Sequence, residues 1–223
     1  MPSFRQRQKK REEKFMQTAA DLPPGELPGV SLVPLTSSHF VAVKRLHEAR
    51  LPVAYSDDFF REAVKSPFSR AAMCDGTLVG ALICKEMEGG LRVQSLVAAV
   101  PRRGIGSQLL RAVISEAAQR GIRKLSLHVH VRNEAAIALY SSLDFRTVVT
   151  KPNYYHRSAK NLEEPFDAHF MVYTMDAGPG LGYALSRPLA PVVDFVKNIV
   201  YPDAPAEADV DVPSQPQSAC VAV

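Results

Sequence analysis

Between Leu91 and Leu143 the hydrophobic pattern changes character four times, and this succession constrains the fold more than any other part of the 223-residue chain. "LRVQSLVAAV" (91–100) reads as an extended strand, and "PRRGIG" interrupts it. "SQLLRAVISEAAQR" (107–120) then sets Leu109, Leu110, Val113, Ile114 and Ala117 on one helical face, with Gly121 placed to cap the helix. "KLSLHVHV" (124–131) alternates strictly, with Leu125, Leu127, Val129 and Val131 on one side and Ser126, His128 and His130 on the other. This arrangement puts the two histidines on the polar, outer face of a half-buried strand. "NEAAIALYSSL" (133–143) returns to a helical period. A strand, helix, strand, helix series of this kind calls for crossover connections within a mixed sheet.

The flanking segments supply the rest of such a sheet. "VSLVPL" (30–35) is a short strand, and Ser37 or Ser38 is placed to cap a helix carrying Phe40, Val43 and Leu46. After "LPVAYS" (51–56), "DDFFREAVK" reads as a second helix. The segments 69–75, 77–87 and 91–100 form an antiparallel meander, because Asp75-Gly76 and Gly89-Gly90 supply the backbone angles of tight hairpins. "FRTVVT" (145–150) and "DAHFMVYTM" (167–175) are the closing strands. The expected architecture is α+β, a mixed central sheet of about seven strands flanked by about four helices, over residues 30–176.

Charge is distributed unevenly. Residues 1–29 hold six Lys/Arg and four Asp/Glu and end in the Pro/Gly-rich "DLPPGELPG", which predicts a flexible basic tail. Residues 202–223 hold no Lys/Arg and four Asp/Glu, which predicts an acidic disordered tail. The remainder carries 21 Lys/Arg against 15 Asp/Glu, a basic body of the kind that attracts polyanionic ligands. Aromatic residues are not interleaved with Lys/Arg on any segment, so nothing points to specific nucleic-acid binding. Within 177–201, Leu189, Val192, Val193, Val196, Ile199 and Val200 share one helical face, an amphipathic segment suited to packing on the domain, docking on a partner or lying on a membrane surface.

Cys74, Cys84 and Cys220 show neither disulfide-framework nor metal-ligand spacing, so no metal is expected and a reducing, cytoplasmic compartment fits. The closing "CVAV" has the shape of a prenylation signal, but it lacks a usual last residue and a preceding polybasic run.

"VPRRGIGSQLL" (100–110) joins an apolar strand to a helix through two arginines and two glycines, with Ser107 where the helical pattern begins. Glycines permit close backbone approach, and the first N–H groups of a helix lack internal partners, so together they suit a phosphate. The same pattern also describes an ordinary strand-to-helix joint. "LHVHVRNEAAIALYSSLDF" (127–145) resembles the second half of the acetyl-CoA motif of GNAT acetyltransferases. Together with "LPVAYSDDFFREAV", "TKPNYYHR" and "DAH", the resemblance narrows to the catalytic subunits of NatE and NatF N-alpha-acetyltransferases over about 30–175.

That resemblance implies a GNAT fold, acetyl-CoA as co-substrate and a free N-terminal amine, with Met-starting N-termini preferred, as acceptor. It implies that Arg102, Arg103, Gly104, Ile105, Gly106 and Ser107 hold the pyrophosphate, with Asn133 and Tyr140 also meeting the cofactor. His128 falls at the family's catalytic histidine and Tyr140 at a tyrosine near the sulfur. Leu51, Pro52, Val53 and Tyr55 match the pocket for the first side chain, and Tyr154 and Tyr155 match a pair that holds the peptide backbone. An α-amine with a pKa of about 8 needs less help to lose its proton than a lysine at about 10.4, and a histidine suits that task.

The sequence also departs from the family. The strand before the loop lacks a tyrosine that serves there as a second base, and Gly90, Arg92 or Gln94 takes its place according to where a gap falls. Pro101 or Arg102 likewise occupies the first position of the loop, and Asp144 replaces a glycine before Phe145. Three functions remain open on these residues: an N-alpha-acetyltransferase, a lysine or small-amine acetyltransferase, or a weakly active CoA-binding subunit docked on a NatA-like or ribosomal complex or a membrane surface.

Overall fold

Two hairpins organise the first half of the sheet. Asp75 and Gly76 both take left-handed backbone angles, as does Gly89, which closes the tight turns anticipated between consecutive strands. The computed structural model describes residues 6, 10, 13, 27–155, 166–175, 221 and 222. The 177–201 segment, Cys220 and most of both terminal tails lie outside the described residues.

In chain order the elements are β1 (Val30–Pro34), α1 (Phe40–Arg50), α2 (Asp57–Ala63), β2 (Arg70–Cys74), β3 (Thr77–Met87), β4 (Gly90–Ala98), α3 (Ile105–Gln119), β5 (Lys124–His130), α4 (Glu134–Ser141), β6 (Arg146–Lys151), β7 (Ala168–Thr174) and β8 (Val221–Ala222). The sheet runs β1-β2-β3-β4-β5-β7-β6, with β8 pairing separately with β4. Only β4–β5 and β4–β8 are parallel. This is the mixed α+β architecture expected, seven main strands with four α-helices among the described residues.

Three local expectations need correction. Neither Ser37 nor Ser38 caps α1: Thr36 caps a 3-10 turn over Ser37–His39, because its backbone N–H and side chain pair reciprocally with His39. Helix α3 begins at Ile105 rather than Ser107, since the left-handed Gly104 (φ 70°) serves as its cap. The ordered body also starts upstream of Val30: Leu27 is buried, and its N–H donates to the Arg103 carbonyl at 3.2 Å. Of the acidic tail, the described residues are those of β8.

The two faces of the sheet are covered differently. On one, α3 lays Leu109, Leu110, Val113 and Ala117 into the core with no exposure, each leucine contributing roughly 2 kcal/mol by burial. On the other, α1, α2 and the loop between them cover Ala71, Ala81, Ile83 and Val97. Gly80 on β3 lets α3 approach, since a Cβ there would lie 2.5 Å from Ile105 Cγ2.

β4 changes direction at Gln94. The β3–β4 register passes from Cys84↔Val93 to Ile83↔Ser95, so Gln94 is an extra residue, a bulge. β4 and β5 pair only before it, at Leu91↔Leu125 and Arg92↔Ser126. Beyond it, β4 pairs on that side with β8 instead, through Leu96↔Val221 and Val97↔Ala222. The parallel strands therefore diverge toward the loop that opens α3. Gly80→Val is expected to cost about 1–3 kcal/mol by forcing α3 off the sheet, read as a lowered thermal midpoint.

Candidate active site

The glycine loop has the geometry of an anion cradle. Arg102 (φ 56°) and Gly104 (φ 70°) are both left-handed, which turns the chain sharply from β4 into α3. The first helical bond described runs from Gln108 N–H to the Gly104 carbonyl at 2.9 Å. The N–H groups of Ile105, Gly106 and Ser107 precede it and lack helical partners, and no acidic residue occupies the first turn. A cleft of about 270 Å³ opens here, lined by Arg102, Arg103, Gly104, Ile105, Gly106 and Ser107. All six residues singled out as phosphate ligands thus share one cavity. Its opposite wall is α4, through Ala135, Ala138, Leu139 and Ser142, whose spacing i, i+3, i+4, i+7 could have marked it in the sequence.

The other two cofactor candidates are placed differently. The Asn133 side chain caps α4, its Oδ1 accepting from the Ala136 N–H at 3.1 Å. Tyr140 is wholly buried, with its ring 5.6 Å from Phe145, and the cavity wall passes through its neighbours rather than through it. Asp144 takes a left-handed φ of 64°, which explains why a glycine suits that position.

The second half of the site lies on the α1/α2 face. β5 sits between β4 and β7, so His128 and His130 are buried, at 2% and 4% exposure, rather than on an outer face. Neither ring nitrogen of His128 has a hydrogen-bond partner among the described residues. Its ring stacks on Tyr154 at 4.2 Å and lies 4.9 Å from Phe170. Burial, and then the charges of Arg92 and Lys151, hold its pKa well below the usual histidine value, so the ring is neutral at physiological pH.

Tyr154 and Tyr155 have separate roles. Tyr154 is half-buried and covers His128, whereas Tyr155 is wholly buried in the core and its N–H donates to the Phe166 carbonyl at 2.9 Å. Leu51, Val53 and Tyr155 belong to one apolar cluster, against which Tyr55, Phe59 and Tyr154 pack. Tyr55 stacks on Phe59 at 4.4 Å, and Pro52 is half-buried beside them. The structure thus brings the 51–55 loop and the tyrosine pair to one wall.

His47 and Lys151 escaped the sequence reading as site members, and Arg92 entered it only as one of three residues at the place of a missing tyrosine. His47 lies under the loop, donating from Nδ1 to the Val43 carbonyl at 2.8 Å and accepting at Nε2 from the Ser95 hydroxyl at 2.5 Å. Its ring is also 5.6 Å from that of Tyr55. Arg92 on β4 pairs in register with Ser126 and therefore faces the same way as His128. Of the three positions left open for the family's tyrosine, Gly90 carries no side chain and sits at the start of β4 against Lys124, Gln94 is the bulge, and Arg92 is the one whose side chain stands on His128's side. Lys151, on β6, shares that face. A charged residue flanked by Leu91 and Val93 in a buried strand was the available signal.

The acetyltransferase (GNAT) family profile matches residues 37–145. Zebrafish N-alpha-acetyltransferase 50 is 30% identical over 150 residues, covering 64% of this chain and 86% of that protein. The chain belongs to the GNAT acetyltransferase family. Among solved structures, this GNAT protein resembles Arabidopsis thaliana Naa50 in complex with the bisubstrate analogue CoA-Ac-MVNAL, at 30% identity and a TM-score of 0.58, over 66% of this chain and 99% of that one. Arabidopsis thaliana NAA60 in complex with acetyl-CoA gives 25% identity and 0.57 over 66% and 99%. Among the described residues, no helix of this acetyltransferase is long and apolar enough to cross a membrane.

Burial lowers the His47 pKa from 6.5 to about 4. The unfolded chain therefore takes up this proton first, and stability present above pH 6.5 is lost as the pH falls toward 4. His47 alone is expected to remove about 2 kcal/mol between pH 7.5 and pH 5. His128 acts in the same direction. Thermal midpoints across that range check this, and His47→Gln is expected to flatten the dependence.

Proposed function

We propose that this protein is an acetyl-CoA-dependent N-alpha-acetyltransferase acting on the free amine of protein N-termini, Met-starting ones above all. One observation carries the reading: a helix-N-terminal anion cradle and a neutral, unpartnered histidine stand on either side of two diverging parallel strands. The relative crystallised with an acetylated Met-Val-Asn-Ala-Leu conjugate of CoA, matched over 99% of its length, supports both the co-substrate and the methionine.

Acetyl-CoA supplies the acetyl group as a thioester, activated toward an amine. Arg102, Arg103 and the N–H groups of Ile105–Ser107 hold its pyrophosphate, because a helix N-terminus with no acidic residue in its first turn favours negative charge. The backbone of β4 beyond Gln94 is turned from β5 and offers its polar groups to the pantetheine arm. Asn133 fixes the start of α4 and so the far wall of the cleft.

On the peptide side, Leu51, Pro52, Val53 and Tyr55 receive the first side chain, and Tyr154 holds the backbone, with Tyr155 supporting it from the core. His128 accepts the proton that the amine loses as its nitrogen bonds to the acetyl carbon, directly or through one water. Its neutral state leaves a lone pair for that task. The resemblance assigns Tyr140 the return of a proton to the departing sulfur, a role that requires its buried ring to gain access to the cleft beside Leu139. An amine reaches His128 only when the Tyr154 ring, stacked on it at 4.2 Å, moves aside.

Acetyl transfer to a Met-Leu-Gly-Pro peptide, with a blocked version carrying a free lysine as comparison, tests the reading. Turnover of the free-ended peptide alone is expected. Turnover of the blocked peptide favours lysine acetylation, and silence on both with CoA binding intact favours a scaffold. His128→Ala is expected to lower kcat by about 10²–10⁴-fold with CoA affinity retained, as measured by calorimetry.

β8 occupies the same stretch of β4, at Leu96 and Val97, that the pantetheine arm requires. The two compete, so Ala222→Pro, which removes a backbone donor from β8, is expected to tighten CoA binding in the same calorimetric measurement.

A further inference from the structure

The face of the sheet around His128 carries a cationic pair that acetyl transfer as described does not use. Arg92 is 5% exposed, and its Nε has no hydrogen-bond partner among the described residues. A buried donor left unpaired costs free energy that a ligand can recover. Lys151 is half-buried, with its Nζ 5.7 Å from the Tyr154 ring centroid. Strand register places Arg92 on β4 and Lys151 on β6, to either side of His128 on β5 and on the same face.

The charges act on the same small region. Burial first, and then the charge of Arg92, lowers the Lys151 pKa; burial first, and then the charges of Arg92 and Lys151, lowers that of His128; and among the described residues Tyr154 is the acidic group that acts on Arg92. Neither cation forms a salt bridge with a described carboxylate. Two half-desolvated or buried cations beside a peptide site, lacking an anion of their own, suit an anion delivered with the substrate.

The substrate's geometry indicates where that anion sits. In an extended peptide successive side chains point to opposite sides. With the first side chain directed into the 51–55 loop and the amine at His128, the second is directed away from the loop, toward the sheet that carries the two cations.

We propose that Arg92 and Lys151 form a carboxylate-binding pair through which this enzyme selects N-termini with aspartate or glutamate at the second residue. The inference rests on the N-alpha-acetyltransferase reading. Arg92 supplies a planar guanidinium suited to two-point contact with the carboxylate, and Lys151 supplies a point charge from the opposite side. Both act as specificity-determining residues, and neither takes part in proton transfer.

The test compares three peptides with full-length protein, Met-Glu-Gly-Pro, Met-Leu-Gly-Pro and Met-Lys-Gly-Pro. The glutamate peptide is expected to exceed the leucine peptide in kcat/KM by roughly tenfold, the size of one charge-assisted hydrogen bond, with the lysine peptide poorest. Added salt is expected to shrink the preference. Arg92→Gln and Lys151→Met are each expected to raise KM for the glutamate peptide and move the glutamate-to-leucine ratio toward one. Two variants on separate strands guard against misfolding of either.

A leucine peptide equal to or better than the glutamate peptide overturns the inference while leaving N-terminal acetylation intact. An Arg92→Gln variant that lowers kcat equally on all three peptides also overturns it, because the charge then serves the chemistry. If no peptide is acetylated, the activity reading falls, and the pair is judged by fluorescence anisotropy of C-terminally labelled peptides in the presence of CoA. Tighter binding of the glutamate peptide, lost in both variants, supports the pair, and equal binding overturns it.

Discussion

The arrangement of the site depends on two parallel strands that pair at only two positions. β4 and β5 are hydrogen-bonded neighbours at Leu91↔Leu125 and Arg92↔Ser126, and the extra residue at Gln94 then turns β4 away. Gly90 makes the closed end possible, since a Cβ there would lie 2.7 Å from the Lys124 carbonyl oxygen. At the open end, backbone groups that an ordinary sheet would consume are left for another extended chain. That the described tail residues Val221 and Ala222 add to β4 there shows that the edge accepts a strand-like partner. The glycine loop and the N-terminus of α3 lie beyond the same divergence, which is the path along β4 that the proposed cofactor binding requires.

The α1/α2 face of the sheet is electrostatically unusual for a buried surface. His47, Arg92, His128 and His130 all have less than a tenth of their surface exposed, and Lys151 is half-buried. Of these, His47 and His128 meet desolvation by staying neutral. His47 has both nitrogens engaged and serves structure, tying α1 to Ser95 on β4 beneath the loop. His128 has neither nitrogen engaged and is available to substrate. Two buried, neutral imidazoles thus differ in whether their nitrogens are already engaged, a contrast sharper than that between their pKa shifts. Arg92 puts a permanent charge on the same face as that histidine and depresses its pKa further than burial alone.

Much of this organisation was legible from the chain alone. The β-α-α-β-β-β-α-β-α-β-β order followed from changes of period and from the Asp75-Gly76 and Gly89-Gly90 turns, because local backbone angles and amphipathic spacing act over a few residues. The glycine turn before α3 was legible for the same reason: Gly104 and the start of α3 are consecutive in sequence, so their geometry is local. Errors of a residue or two at Thr36 and Gly104 arose where a side-chain cap or a left-handed residue, rather than hydrophobic period, set the boundary.

What the sequence determined by itself was therefore the set of elements, their order and the glycine turn that opens α3. Only the tertiary structure decided which strand is buried on both faces, and thus that His128 is a buried neutral imidazole rather than a solvated edge residue. It likewise decided that Tyr155 is core while Tyr154 is wall, and that Arg92, His128 and Lys151, separated by dozens of residues, share one face. The physical reason is that burial and electrostatic environment depend on lateral strand order and on a bulge at Gln94, and both arise from long-range pairing that no local pattern encodes.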